Sequence, residues 1–161
     1  MKKSKRKEAH YNDTAIQISM DKAYGFLLER TAKKLKQELQ KQFNQLDVNI
    51  TVDQWMILYE LHEMGELSLI QLGELTCKDS PTITRMIRLL ESRNIIVRKP
   101  SPSDKRKQVI ILSKTGEKMV STLMPTVHAF RNKGWQGLSK KDTIQLERII
   151  SKIDFNFNST K

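Results

Sequence analysis

Two helix-start signals separated by a tight turn occupy the middle of the chain, and they restrict the fold more than any other feature. Ser68–Gln71 has the form of a capping box, which predicts a short helix that ends near Thr76–Lys78. Asp79 or Ser80 can cap the next helix, and Pro81 occupies its first turn, where a proline costs least. Two short helices joined in this way predict a helix-turn-helix unit.

A predicted β-hairpin follows this unit. The runs Ile95–Arg98 and Val109–Leu112 have the composition of strands, and residues 99–108 between them are rich in Pro, Ser and charge, as in an exposed loop. Asn94 tolerates the left-handed backbone that ends the preceding helix. The order predicts a winged helix-turn-helix, so the expected fold is mainly α with a small β-hairpin wing.

The second helix of the unit has the two faces that a DNA-reading helix needs. Ile83, Ile87 and Leu90 recur at helical spacing and are expected to pack on the core. The opposite face offers guanidinium and hydroxyl groups to base edges and phosphates, and the helix start offers free backbone N–H groups. The DNA-binding residues predicted on this helix are Ser80, Pro81, Thr82, Thr84, Arg85 and Arg88.

Amphipathic helices are predicted on the N-terminal side of the unit. The first runs from Asp21 to about Leu46. A second capping box, Thr51–Gln54, starts another helix, for which Gly65 can supply the left-handed stop. On this helix we expect Trp55, Leu58 and His62 to share one face.

On the C-terminal side the helical period resumes at Ser113, and Pro125 inside it is expected to kink or split the helix. A last helix is predicted from about Ser139 to Ile153. Apolar stripes in these outer helices, such as Met119, Leu123, Val127 and Phe130, either pack within one subunit or form a dimer interface. A dimer uses the surplus apolar surface and suits a two-fold DNA site.

These segments predict one intertwined domain with four parts. Residues 1–20 form a flexible basic arm, and residues 21–50 form an N-terminal dimerisation helix. Residues 51–113 form the winged helix-turn-helix, and residues 114–161 form C-terminal dimerisation helices.

The net charge of +11 is concentrated in two segments. Residues 1–10 hold five Lys or Arg and one Glu, and residues 78–118 hold eleven Lys or Arg against four acidic residues. The remaining chain is balanced, so the excess indicates a polyanionic partner, double-stranded DNA, rather than general solubility. The N-terminal run is either a solvated tail or a tail that also touches phosphates.

Several other classes of protein are disfavoured. Cys77 is the single cysteine, and His10, His62 and His128 show no ligand spacing, so we expect neither a metal site nor a cofactor. The sequence has no phosphate-cradling glycine loop and no recognisable nucleophile motif, so we expect no catalytic residues and no enzyme. No apolar run reaches membrane length, and the basic start Met1–Lys7 lacks the apolar segment of a secretory signal, which predicts a cytoplasmic protein.

At this point the chain resembles a known family. Asp104-Lys105-Arg106 followed by Val109–Ser113 is similar to the wing signature of the MarR family of bacterial regulators, and Ser80–Glu91 is similar to that family's recognition helix. The resemblance covers roughly residues 21–155, with the same order of helices. Asn94 stands where Gly is usual, which changes little because Asn also tolerates the left-handed turn.

The resemblance implies a triangular homodimer that binds a pseudopalindromic operator, with repression as the usual outcome. One recognition helix per subunit would enter successive major grooves, and the N- and C-terminal helices would intertwine. Arg106 would enter the minor groove from the wing tip, Asp104 would brace the loop, and Lys105 and Lys107 would lie near phosphates. A narrow minor groove independently attracts a guanidinium, whereas the alternative for Arg106 is a solvated loop charge.

The resemblance also implies regulation by small phenolic or aromatic ligands, or by oxidation. Phe26, Arg30, Trp55 and Tyr59 are candidates for lining a ligand pocket, and ordinary core and hinge packing is the alternative for each. Cys77 lies in the turn before the recognition helix, where a bulky oxidised form would disturb DNA binding; the alternative is an inert small residue.

A different function uses the same charge. A non-specific or architectural DNA-binding protein would also need a basic surface, and fold alone does not decide function. Sequence preference separates the two, because an architectural protein binds all duplexes with nearly equal affinity and the same steep salt dependence.

Overall fold

The computed structural model of the protein describes residues 24–158, so the arm predicted over residues 1–20 lies outside the described residues. Within this range the elements follow the predicted order. They are α1 (Tyr24–Gln45), α2 (Val52–Met64), β1 (Glu66–Leu67), α3 (Leu69–Leu75), α4 (Ser80–Ser92), β2 (Ile96–Pro100), β3 (Gln108–Leu112), α5 (Lys114–Gly134) and α6 (Lys140–Asn158). The predicted mainly α fold with a winged helix-turn-helix is confirmed.

The described residues divide into two units, one before residue 36 and one from residue 36 onward. In the described part of the first unit, the beginning of α1 is exposed, and its surface includes Tyr24, Phe26, Leu27 and Leu28. Lys33 and Glu29 form an ion pair of 2.7 Å one helical turn apart on this stretch.

Side-chain caps start the two helices that precede the turn, as the sequence predicts. The Thr51 side chain accepts a hydrogen bond from the backbone N–H of Gln54, and the Gln54 side chain accepts one from the backbone N–H of Thr51. Ser68 and Gln71 make the same reciprocal pair at the start of α3. Because these bonds satisfy otherwise free N–H groups, four residues fix each helix start locally.

These two helices bury different amounts of their length. On α2, Trp55, Leu58 and Leu61 are buried, whereas His62 near the end of the helix is exposed. Helix α3 is only seven residues long and buries Leu72 and Gly73, while Leu75 is exposed. A seven-residue helix has too few turns to give a reliable apolar period.

The core lies in the second unit, between α2, the helix-turn-helix, the sheet and α5. The side chains with almost no exposed surface come from every one of these elements, so a single cluster holds them together. Its largest members include Phe43, Ile57, Leu58, Leu61, Leu72, Ile83, Ile87, Leu90, Ile96 and Ile110.

The wing belongs to a three-stranded antiparallel sheet in the order β1-β3-β2. Ile96 pairs with Leu112 and Pro100 with Gln108, so the strands run closer to the hairpin tip than predicted and Ile95 lies outside them. The sequence prediction lacks β1, since two residues are too short for an alternating pattern. β1 pairs with β3 only near the base of the hairpin.

Helix α5 continues through Pro125 as one element. Of the two outcomes predicted for this proline, splitting does not occur. Leu123 and Val127, on either side of it, are buried in the core, and this packing holds the helix together although Pro125 donates no backbone hydrogen bond. Met119 and Phe130 pack against the same core, so this stripe is used within the subunit.

Helix α6 has no buried residue, although seven of its side chains are large and apolar. The apolar side chains that it exposes, together with two from the turn before it, are Trp135, Leu138, Ile144, Leu146, Ile149, Ile150, Ile153, Phe155 and Phe157. The described chain therefore leaves many of its large apolar side chains on the surface of one helix.

The junction between wing and α5 depends on a close approach at Gly116. The Ser113 hydroxyl caps α5 by accepting from the Gly116 N–H at 3.1 Å, and it donates to the Asn94 carbonyl at 2.5 Å. Asn94 has the predicted positive φ, at 54°. A Cβ on Gly116 would lie 2.2 Å from the Ile95 carbonyl oxygen, so only glycine fits between the helix start and the strand.

We therefore expect Gly116→Ala to lower the free energy of unfolding by about 1–3 kcal/mol or more, because backbone must shift to admit the methyl group. Urea denaturation of both proteins measures this. The matched control is Gly25→Ala, because a Cβ there meets nothing within 4 Å. Equal stability of Gly116→Ala and the wild type would contradict the close approach.

Candidate nucleic-acid interface

Helix α4 is held by one face and capped at its start. Ile83, Ile87 and Leu90 are buried as predicted. The Asp79 carboxylate accepts a hydrogen bond from the Thr82 N–H at 2.7 Å, and Pro81 lies in the first turn. Cap and buried face together fix both the start of the helix and its rotation about its own axis.

The opposite face of α4 carries the residues that the sequence predicts as DNA contacts. Ser80, Pro81, Arg85 and Arg88 are exposed, and Thr82 and Thr84 are half-buried. Within residues 24–158 neither guanidinium forms an ion pair. The face therefore presents donors that no protein acceptor neutralises, and such donors can bind phosphate oxygens or guanine edges. All six predicted residues lie on one helix and can contact one ligand.

A strained turn sets the separation of α3 and α4. Cys77 has φ of 50°, and the Lys78 N–H donates to the Gly73 carbonyl at 2.9 Å. A Cβ on Gly73 would lie 3.2 Å from the Lys78 carbonyl oxygen, so the turn packs closely on the end of α3. A cavity of about 180 Å³ lies beside it and is lined by Leu69, Ile70, Gly73, Glu74, Lys78, Ser80 and Ile83.

The wing tip presents a single braced guanidinium. The Asp104 carboxylate accepts from the Arg106 backbone N–H at 3.1 Å and from its Nε at 3.2 Å. The Arg106 side chain is 92% exposed, and Lys105 and Lys107 beside it are exposed as well. The loop closes on itself through Ser101, whose backbone N–H donates to the Lys107 carbonyl, and Ser101 is buried rather than exposed as predicted. The geometry leaves Arg106 free to reach outward from a fixed loop.

Ion pairs that the sequence analysis missed connect these elements. Arg98 on β2 pairs with Glu91 on α4 at 3.2 Å, and this pair links the wing to the helix. The Asp53 carboxylate in the first turn of α2 contacts two ammonium groups, Lys36 at 2.6 Å and Lys78 at 3.1 Å. Each of these pairs joins side chains from different elements, so no period within one helix or strand could have predicted them.

Two opposing effects, burial and the neighbouring ammonium groups, set the pKa of Asp53. Partial burial raises the pKa of its carboxyl, but hydrogen bonds and charge from Lys36 and Lys78 outweigh this and hold the pKa below its ordinary value. The carboxylate is therefore ionised at neutral pH and can bridge both ammonium groups.

The four residues predicted for a ligand pocket have different surroundings. Trp55 is only 3% exposed and stacks at a tilt on half-buried Tyr59, with ring centroids 5.9 Å apart. Arg131 lies over the Tyr59 ring at 5.4 Å from its centroid. Phe26 and Arg30 belong to the first unit, where both are exposed. Trp55 and Tyr59 are thus brought together, and a pocket formed by all four stays a prediction.

Other features of the described residues bear on function. Cys77 is exposed, with its sulfur 3.8 Å from the Glu74 carbonyl oxygen. Among residues 24–158, no three His, Cys, Asp or Glu side chains are grouped so that they could hold a metal ion. No helix in the same range is both long and apolar enough to cross a membrane.

Acid should weaken α4 through its cap. Hydrogen bonds from the Thr82 side chain and backbone lower the pKa of Asp79, so its stabilisation is present at neutral pH and is lost as pH falls through the folded-state value. We expect Asp79→Ala to lower the melting temperature at neutral pH. Asp79→Asn keeps a capping acceptor and should show a smaller fall in melting temperature than the wild type between roughly pH 5 and pH 2. An identical fall in both would contradict the role of the carboxylate.

The fold recurs in solved structures of known regulators. BpsR from Bordetella bronchiseptica matches with a TM-score of 0.74 and 22% identity, over 84% of this chain and 96% of that chain. MepR from S. aureus, in a complex with DNA, matches with a TM-score of 0.76 and 22% identity, over 86% and 99%. A mutant MarR from E. coli, complexed with operator DNA, matches with a TM-score of 0.70 and 23% identity, over 80% and 91%. These likenesses establish the fold.

A sequence match points to the same family. The MarR family model matches residues 50–108, which run from just before α2 through the helix-turn-helix to the beginning of β3. This range contains the capped helix α4 and the braced wing tip described above. Residues 50–108 therefore carry a winged helix-turn-helix domain of the MarR family.

Proposed function

We propose that the protein represses transcription by binding a pseudopalindromic operator as a homodimer. In this proposal α4 of each subunit enters a major groove, and Arg106 at the wing tip enters the adjacent minor groove. The observation that carries the proposal is the pairing of a buried inner face on α4 with an outer face whose arginines have no ion-pair partner among residues 24–158. Such a helix presents fixed hydrogen-bond donors to DNA.

Electrostatics support DNA as the partner. Residues 78–118, which include α4 and the wing, carry eleven Lys or Arg against four acidic residues. Cations on this scale release counterions from a duplex and steer association toward it. Two proteins with the same fold, MepR and the E. coli MarR mutant, have been solved with DNA, the latter with its operator.

The exposed apolar face of α6 supports a homodimer. Exposure of this many Ile, Leu and Phe side chains to water is unfavourable, and a second copy of the chain offers a matching surface that would cover them. A two-fold dimer would also repeat the reading helix, which explains why a pseudopalindrome is the expected site. We propose that residues 21–50 and 114–161 form this interface.

Regulation by a small ligand is the remaining part of the proposal. DNA binding by BpsR is regulated by 6-hydroxynicotinic acid, a small aromatic acid. In this protein we propose an aromatic ligand near Trp55 and Tyr59, with Phe26 and Arg30 as further candidates. No step of this function needs a catalytic group, and we propose that the protein is not an enzyme.

Selection from a random pool of duplexes tests the main proposal. We expect the selected sequences to share a pseudopalindrome that binds roughly a thousandfold or more tightly than its scramble in fluorescence anisotropy titrations. Equal binding of both duplexes, with the same steep salt dependence, would instead support a non-specific architectural protein.

The selected duplex also tests the wing. Arg106→Ala should weaken binding by about 1–3 kcal/mol, with an unchanged melting curve because the side chain is exposed. Lys41→Ala removes the same charge from an exposed position on α1 and serves as the control. Equal effects of the two substitutions on binding would contradict the proposed contact between Arg106 and the minor groove.

We predict a dimer at micromolar concentration, which light scattering measures. The double substitution Ile149→Asp and Ile153→Asp should shift the mass to that of a monomer, because two charges would be buried in the interface. Ser151→Asp, on the same exposed helix, controls for added charge and should leave the dimer intact. A monomeric wild type would overturn the two-fold arrangement.

A further inference from the structure

The Asp53 carboxylate joins three parts of the second unit at one point. Its Oδ2 lies 2.6 Å from Nζ of Lys36 on α1, and its Oδ1 lies 3.1 Å from Nζ of Lys78 in the turn before α4. Asp53 itself lies in the first turn of α2. Each oxygen is used by a different cation, so both contacts can exist at once.

The Lys78 contact lies close to the start of the reading helix. Lys78 directly precedes the capping residue Asp79, and its backbone N–H is held by the Gly73 carbonyl. The side chains of Asp53 and Lys78 are each 27% exposed, so water screens their contact less than it screens a fully exposed ion pair. A displacement of Asp53 would therefore act directly on the turn that sets where α4 begins.

The Lys36 contact brings the N-terminal helix into the same network. Lys36 is half-exposed and lies on the part of α1 that belongs to the second unit, outside the proposed DNA-reading face. The Gln40 side chain on α1 makes two further hydrogen bonds where the chain enters α2. It donates to the Ile50 carbonyl and accepts from the Val52 N–H. These bonds fix the start of α2, and with it Asp53, against α1.

We propose that Asp53 is a positioning residue for DNA reading, which holds the turn before α4 in place by bridging Lys36 and Lys78. The proposal rests on the proposed function and extends it, because it makes operator affinity depend on a residue of α1 that does not touch DNA. Any movement of α1 at this point would then be transmitted to the start of the recognition helix.

A purely structural ion pair is the competing explanation, and exposed pairs often contribute little. The two explanations differ in what they predict for binding preference. A lost structural pair lowers the folded fraction and weakens binding to every duplex equally. A lost positioning contact weakens binding to the operator more than binding to a scrambled duplex. In Asp53→Asn, binding to the scramble stays the same or tightens because a negative charge is gone, and in Lys36→Met it falls only as far as one lost surface cation explains.

The experiment compares the full-length wild type with Asp53→Asn and Lys36→Met on the selected duplex and its scramble, in anisotropy titrations at one salt concentration. Each substitution should lower the preference for the selected duplex by about three- to tenfold. The double variant should lose no more than the larger single effect, because both changes break the same bridge. Asp53→Glu should restore part of the preference.

Lys41→Met is the matched control, because Lys41 lies on the same helix and pairs with Glu38 within that helix at 2.6 Å. It should leave the preference unchanged. Lys36→Met keeps the Asp53 carboxylate at the start of α2, so it tests the bridge even if Asp53→Asn folds poorly.

Unchanged preference in Lys36→Met, or additive losses in the double variant, would overturn the positioning role while leaving the proposed function intact. A wild type without any preference for a selected duplex would overturn the proposed function, and the inference with it.

Discussion

Burial of one face of α4 is the interaction on which the rest of the molecule depends. Ile83, Ile87 and Leu90 have almost no exposed surface, and each such side chain contributes roughly 1.5–3 kcal/mol of hydrophobic stabilisation. A helix of 13 residues is marginal in water alone, so this packing both maintains the helix and fixes its rotation. Because stability comes from the inner face, the outer face can carry polar groups chosen for binding.

The charged groups of the second unit fall into two classes according to their partners. Arg98, Lys36 and Lys78 are paired with carboxylates and hold elements together. Arg85 and Arg88 have no such partner in the described residues. Arg106 pairs only with Asp104, a residue of its own loop. Cations of the first class are already partly neutralised by protein, so attraction for a polyanion is concentrated in the second class.

Local chemistry made much of this fold predictable from the sequence. The capping boxes at Ser68 and Thr51, the first-turn Pro81 and the left-handed Asn94 each act within a few residues, and all four are found as predicted. The outer face of α4 was also predictable, because a helix that buries Ile83 and Ile87 must expose the opposite side.

The rest depended on contacts between distant segments. β1 exists only because β3 offers a free edge beside it, and the bridge at Asp53 needs three elements to meet. The spacing of His62 from Trp55 does not show that His62 is exposed while Trp55 is buried, because tertiary packing decides how much of α2 is covered. Pro125 was expected to disturb α5, and the core on either side of it prevents a break.

The position of β1 separates the wing into two parts with different freedom to change. Near its base β3 has a neighbour on each side, whereas toward the tip it pairs with β2 alone. The register of the hairpin is therefore set at the base, and residues 102–106, beyond the closing bond between Ser101 and Lys107, can exchange side chains without moving the core. Under the proposed function, sequence drift in this loop would alter how far the wing reaches into a groove, so the preferred binding site would change while the scaffold stays the same.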